Sequence, residues 1–151
     1  MGIKRIKVTQ GGADTFTATA IDTNLTSDGK IGWLITKVKA FWENGYSAAA
    51  ADQTISAILA SQATVTTPVD TEELARVNWA VANTAGVAVA YPVELQKEIM
   101  AAPDRVTVQP TLYAQVSSAT TGLTNVMYFE IEYDEVKLSE VEFLRLLVGG
   151  A

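Results

Sequence analysis

The feature that most constrains the fold is a period-two pattern of apolar and polar residues between Asn125 and Val136. Neighbouring side chains of a β-strand point to opposite faces, so this pattern predicts a strand with one buried face and one face toward water or a partner. The predicted buried set is Met127, Phe129, Ile131 and Tyr133. The predicted outer set is Tyr128, Glu130, Glu132 and Asp134.

Similar short runs of β-branched and aromatic residues recur along the chain between turn residues, which favours an all-β fold. We expect about nine strands in one domain over residues 1–151, arranged as an antiparallel β-sandwich or as a barrel. The predicted strands are Ile6–Val8, Thr15–Ile21, Lys30–Trp42, Gln53–Ser61, Arg76–Ala82, Val87–Tyr91, Arg105–Gln109, Thr111–Ser117 and Asn125–Val136. Within Lys30–Trp42 one face changes from apolar to basic, which predicts different neighbours at its two ends.

Two segments have helical patterns. Ser139–Val148 is predicted to form a short C-terminal helix, because Ser139 and Glu142 have the spacing of a capping box and Gly149 follows as a stop signal. Pro92–Met100 has a weaker helix-like pattern that Pro103 ends.

The chain contains no histidine and no cysteine. Histidine is the usual proton-transfer group near neutral pH and cysteine the strongest uncharged nucleophile, so triads, thiol chemistry and ordinary zinc sites are excluded. We expect no enzyme activity, no catalytic residues and no cofactor. No apolar run is long enough for a membrane-spanning helix, and we expect a soluble protein without a membrane partner.

The net charge of −6 is unevenly distributed along the sequence. Residues 1–42 carry six basic and three acidic groups, a balance of +3, whereas the remainder carries five basic and fourteen acidic groups, a balance of −9. Such asymmetry fits a surface that meets a polyanion, and it equally fits scattered solvation charges. The basic residues that are candidates for contact with a polyanion are Lys4, Arg5, Lys7, Lys37 and Lys39.

The acidic stripe Glu130, Glu132 and Asp134 is the best candidate for chemistry. Carboxylates on one strand face could bind calcium, or Glu130 and Glu132 could act as the acid pair of a hydrolase. No glycine-rich ligand loop accompanies them, which favours a solvated outer face over a metal site.

The aromatic residues allow a further reading. Trp33 or Trp42 could form a stacking platform in a carbohydrate-binding β-sandwich, although most of the aromatic residues alternate with aliphatic ones, as core or interface residues do. The apolar C-terminal helix offers a candidate subunit interface at Phe143, Leu144, Leu147 and Val148. Packing within its own subunit explains that helix equally well.

The C-terminal third resembles a small single jelly-roll capsid protein of an icosahedral virus or phage. The resemblance lies in Arg105-Val-Thr-Val-Gln-Pro-Thr-Leu-Tyr113, the turn Ser117–Gly122, and Asn125-Val-Met-Tyr-Phe-Glu-Ile-Glu-Tyr133 running into Val136-Lys-Leu138. It implies eight principal strands in two facing sheets, a virion location with assembly in the host cytoplasm, and copies of the chain as partners. It also implies a surface that faces the genome. The weakly basic start departs from the long Arg/Lys arm of many capsid proteins, so contact with viral nucleic acid is expected to be weak.

Overall fold

The computed structural model describes residues 1–26, 29–43, 52–65, 72–81, 83–84, 87–88, 96–100 and 106–149. Within these ranges there are eleven strands and one helix. They are β1 (Gly2–Thr9), β2 (Thr17–Asp22), β3 (Ile31–Trp42), β4 (Gln53–Ala60), β5 (Glu73–Val81), β6 (Asn83–Thr84), β7 (Val87–Ala88), β8 (Gln96–Met100), β9 (Val106–Thr107), β10 (Thr111–Ala119), β11 (Val126–Lys137) and α1 (Glu140–Val148).

The principal strands form two antiparallel sheets. The first sheet has the order β1-β11-β3-β8, with β9 also paired to β3, and the second has the order β2-β10-β4-β5. The pairs are nested: β1 with β11, β2 with β10, β3 with β8 and β9, and β4 with β5. A chain that folds back on itself pairs its first strands with its last strands in this way. This is the arrangement of a jelly roll, with eight principal strands in two sheets. The predicted all-β, jelly-roll sandwich with a short C-terminal helix is confirmed.

The core lies between the two sheets, because each sheet turns one row of apolar side chains inward. The first sheet contributes Trp33, Val38, Trp42, Phe129 and Ile131, among others, and the second contributes Ile55, Leu59, Trp79, Leu112 and Val116, among others. The single domain over residues 1–151 stays a prediction.

The long strand β3 does meet different neighbours at its two ends, as predicted. Its later half, Lys37–Phe41, pairs with β8, whereas Trp33 and Leu34 pair with β9. The change from an apolar to a basic face along β3 also has a cause within the strand itself, which the sequence pattern did not indicate. The pairing of β3 with β11 shifts between Glu132 and Tyr133, so the strand contains a β-bulge at this point.

The helix-like interpretation of Pro92–Met100 is wrong for the residues that the structure describes, because Gln96–Met100 is the strand β8. One or two turns of helix are marginal in water, whereas pairing with the edge of β3 satisfies backbone donors and acceptors on both strands. Residues 92–95 lie outside the described ranges, as do 89–91 of the predicted strand Val87–Tyr91 and residue 105 of Arg105–Gln109.

A polar network connects the β1–β2 and β10–β11 connections at one end of the sandwich. The Asp14 carboxylate accepts hydrogen bonds from the Ser118 hydroxyl (2.8 Å), the Thr121 hydroxyl (2.5 Å) and amide (3.1 Å), and the Gly122 amide (2.8 Å). Burial alone raises the pKa of Asp14, but these bonds to Thr121, Gly122 and Ser118 outweigh it and hold the pKa below its usual value. The carboxylate therefore stabilises this turn in its charged form.

Candidate interaction surfaces

The predicted acidic stripe lies on the outer face of the first sheet, where basic residues of the neighbouring strands flank it. Glu130 stands between Arg5 and Lys39 in register, and its carboxylate accepts a 2.7 Å hydrogen bond from Arg5 Nε and lies 3.7 Å from Lys39 Nζ. Glu132 lies 3.7 Å from Lys37 Nζ. The stripe and much of the predicted basic set therefore form one cross-strand charge ladder.

These contacts oppose acid catalysis at the stripe. The hydrogen bond from Arg5, with its charge and that of Lys39, lowers the pKa of Glu130, whereas a general acid needs a raised pKa. The third member, Asp134, lies 3.6 Å from the N-terminal ammonium. Within the described ranges there is no group of three or more acidic side chains that could hold a metal ion. The acidic side chains pair with cations of their own chain instead.

The same outer face carries a shallow depression with an aromatic floor. Phe41 and Tyr128 are opposite each other in register, with ring centroids 6.2 Å apart, and each ring is about one-third exposed. Lys7 Nζ lies 5.7 Å from the centroid of the Tyr128 ring. The depression has a volume of about 320 Å³, and Arg5 and Lys39 also line it. We call this site, Arg5, Lys7, Lys39, Phe41 and Tyr128, the aromatic depression.

The structure places the five predicted genome-facing residues on two different faces of the first sheet. Four of them lie on the outer face, where Arg5, Lys37 and Lys39 are paired with carboxylates and Lys7 lies over an aromatic ring. Lys4 is half-buried and alternates with Arg5 along β1, so it belongs to the other face of the sheet. The outer face is thus less basic than the sequence alone indicates.

The C-terminal helix begins as its sequence predicts. Ser139 is the N-cap: its side chain accepts a hydrogen bond from the Glu142 amide, and the Glu142 carboxylate accepts one from the Ser139 amide. The amide of Leu138 donates to the Lys30 carbonyl (2.8 Å), and Lys30 Nζ lies 4.0 Å from the Glu140 carboxylate. The start of the helix is therefore attached to the beginning of β3.

The helix α1 buries one side chain and exposes most of its other apolar side chains. Phe143 is 3% exposed and anchors the helix to its own protomer, so it is not offered to a partner in this conformation. Val141, Leu144 and Val148, at positions i, i+3 and i+7, are 68%, 50% and 87% exposed. Residues with this spacing share one side of a helix. We call them the helix stripe; Leu147, which is 36% exposed, lies beside it.

The helix stripe shares Leu144 and Val148 with the predicted interface; it includes Val141, which was not predicted, and leaves out Phe143 and Leu147. The sequence contains a signal for the observed set, because Val141, Leu144 and Val148 are separated by three and four residues, the spacing of one helix side. Phe143 lies on a different side of the helix, and only the tertiary structure decides which side faces the protomer.

The two tryptophans proposed as a sugar platform are buried in the core. Trp33 and Trp42 are each 1% exposed. Trp33 stacks on Tyr133 with ring centroids 3.6 Å apart, and the indole N–H of Trp42 donates to the Asn125 side chain at 2.9 Å. A stacking platform needs a free ring face, so the carbohydrate-binding alternative at these residues is wrong.

The one helix of the described residues has nine residues and is far too short to cross a membrane.

The sequence matches no protein-family model and no curated protein. Two solved structures of viruses are similar to the chain. The structure of tomato aspermy virus has 13% identity, with 92% of this chain and 80% of that chain covered and a TM-score of 0.44. Desmodium yellow mottle tymovirus has 11% identity, with 91% of this chain and 89% of that chain covered and a TM-score of 0.37.

Proposed function

We propose that this chain is a structural protein that self-assembles into the shell of a virus or phage. The observation that carries the proposal is the helix stripe, because a helix fixed to the protomer through Phe143 still exposes Val141, Leu144 and Val148. A contiguous exposed apolar surface of this kind marks a contact with another molecule. In this proposal the partner is a further copy of the chain, and the protein is located in the virion after assembly in the host cytoplasm.

The fold and the observed contacts also argue against functions other than a structural role. Jelly rolls occur in capsid proteins, in lectins and in cupins. The buried positions of Trp33 and Trp42 argue against sugar stacking at these residues, and a chain without histidine lacks the imidazole ligands that iron, copper and nickel sites favour. The hypothesis that Glu130 and Glu132 are the acid pair of a hydrolase conflicts with their ion pairs to basic side chains. These points support a structural role over catalysis.

The direct test is the size of the purified protein in solution. We expect particles or high-order oligomers by electron microscopy and analytical ultracentrifugation. A chain that stays a 16.1 kDa monomer at all accessible concentrations and salt conditions contradicts the proposal.

A paired variant tests the role of the helix stripe. Leu144→Glu with Val148→Glu is expected to abolish assembly and leave the thermal unfolding midpoint of the protomer nearly unchanged, since both side chains are exposed. Val65→Glu is the matched control, because Val65 is 62% exposed and lies far from α1 in the sequence. Normal particles from the double variant count against the proposal.

Weak contact between packaged nucleic acid and the four basic residues on the outer face, Arg5, Lys7, Lys37 and Lys39, is a secondary part of this proposal. Lys37→Glu with Lys39→Glu is expected to lower the nucleic-acid content of those particles that form, as read from the ratio of absorbance at 260 and 280 nm. An unchanged ratio removes these residues from the genome-facing set.

A further inference from the structure

We propose that the aromatic depression is the receptor for the helix stripe of a neighbouring copy, so that the shell contact is head-to-tail. This inference rests on the proposed self-assembly and names its two surfaces. One is the outer face around Phe41 and Tyr128, and the other is the exposed side of α1.

The two surfaces match in polarity. The depression offers two partly exposed rings, Phe41 and Tyr128, to apolar side chains. The helix stripe offers three aliphatic side chains that nothing in the described part of the protomer buries. Aliphatic groups packed on aromatic rings remove apolar surface from water on both partners, which favours the contact.

The two surfaces also match in charge. The residues lining the depression include three basic side chains, Arg5, Lys7 and Lys39, against one carboxylate, Glu130. The helix α1 carries two exposed carboxylates in its first turn, Glu140 and Glu142, against one exposed basic side chain, Arg145, in its last turn, so its charged side chains sum to −1. Opposite charges around an apolar centre set the orientation of an interface and speed its formation.

The dimensions of the protomer exclude the contact within one chain. The depression lies near the start of β11, at Tyr128, whereas α1 follows the end of that strand after Lys137. At about 3.3 Å per residue the strand separates the two sites by roughly 30 Å. The helix is only about 13 Å long, and Phe143 and the Leu138–Lys30 hydrogen bond hold it in place.

A contact between two different surfaces of identical chains has a defined consequence. Each copy keeps one free helix and one free depression, so the contact repeats and generates a ring where the rotation closes, or an open filament where it does not, in place of a closed dimer. A head-to-tail contact therefore suits a shell, whereas a symmetric contact of the two helices by itself ends at a dimer.

Disulfide trapping tests the pairing directly, because the chain has no native cysteine. Phe41→Cys and Leu144→Cys are made as separate proteins, mixed under assembly conditions and oxidised. We expect a mixed disulfide dimer, identified by intact mass because the two variants differ in mass, at no less than ten times the yield of either homodimer. Lys7→Cys is a second receptor position in case Phe41→Cys folds poorly, and Val65→Cys is the control for random collision.

A charge variant adds an independent readout. Lys7→Glu, introduced into the Phe41→Cys protein, is expected to lower the mixed dimer yield at least tenfold, whereas Lys4→Glu, the same charge change on the other face of β1, is expected to lower it less than twofold.

The outcomes separate this inference from the proposed function. Particles without a mixed disulfide above the Val65→Cys control overturn the head-to-tail contact and leave self-assembly standing. A dominant Leu144→Cys homodimer overturns it in favour of symmetric helix pairing. Binding of a single-stranded oligonucleotide that Lys7→Glu abolishes, without a mixed disulfide, assigns the depression to a polyanion and also overturns it. A strictly monomeric protein overturns both proposals.

Discussion

Ile35 and Val38 both face the core from strand β3, although side chains three positions apart in a regular strand point to opposite faces. Tyr133 is the partner of Ile35 and Glu132 is the partner of Lys37, so Thr36 is the extra residue of a β-bulge. The bulge turns Trp33 and Ile35 inward on one side of it, and Val38, Ala40 and Trp42 inward on the other. Lys37 and Lys39 are thereby left on the outer face beside the carboxylates of β11.

Deleting Thr36 is expected to leave a cooperatively folded protein. Without the extra residue β3 becomes a regular strand in which Ile35 and Val38 still face the core and Lys37 still faces outward, so no charge enters the core. Circular dichroism melting checks this. Thr36→Ala keeps the chain length and loses only the hydroxyl bond to the Glu132 carbonyl (3.1 Å), at about 1 kcal/mol in urea unfolding. A deletion variant without a cooperative melt contradicts this interpretation of the bulge.

Asn125→Ala is expected to destabilise the protein by about 3 kcal/mol. The buried amide accepts from the Trp42 indole and donates to Gln10 Oε1 (2.9 Å) and Thr121 Oγ1 (3.0 Å), so its loss leaves several buried polar atoms without partners. Urea unfolding measures the loss. In a double-mutant cycle with Trp42→Phe, a coupling energy near zero shows that the indole bond is not part of the effect.

Asp14 is expected to make stability depend on pH in the acid range. Its pKa is lowered in the folded state, so its contribution is fully present above the unfolded value, about 3.9, and is lost as the pH falls through the folded pKa. Asp14→Asn is expected to cost about 2 kcal/mol at pH 7 and progressively less below pH 4. Guanidine unfolding of both proteins between pH 2.5 and 7 gives the comparison. A difference that stays constant over this range shows that the charge of Asp14 does not stabilise the turn.

Phe143→Ala and Leu144→Ala are expected to behave differently although the residues are adjacent. Phe143 is 3% exposed and its truncation is expected to cost about 3 kcal/mol, whereas Leu144 is 50% exposed and its truncation about 0.5 kcal/mol or less. Protomer stability is measured in urea at concentrations below assembly. Equal losses contradict the assignment of a buried Phe143 and an exposed Leu144 to different sides of α1.

The alternation from Asn125 to Val136, the runs that became β3, β4 and β10, and the capping box at Ser139 identified most of the strands and the helix from sequence alone. These features succeed because they are local: a strand face or a helix cap is encoded by residues within a few positions of one another. The same reasoning failed at Pro92–Met100, where a weak local pattern competes with pairing along the edge of a distant strand.

The candidate surfaces depended on contacts that local patterns do not encode. The sequence placed Glu130 and Glu132 on one face and collected the basic residues near the N-terminus, but the register of three strands was needed to bring Arg5 and Lys39 to the two sides of Glu130. The sequence marked α1 as apolar, but which side it buries follows from where Leu138 leaves the sheet and how Phe143 packs. Strand character and helix boundaries were thus determined by the sequence alone, because they depend on short-range backbone preferences. The bulge in β3, the charge ladder and the exposed helix stripe were decided by tertiary structure, because each depends on residues that are distant in the chain and adjacent only after folding.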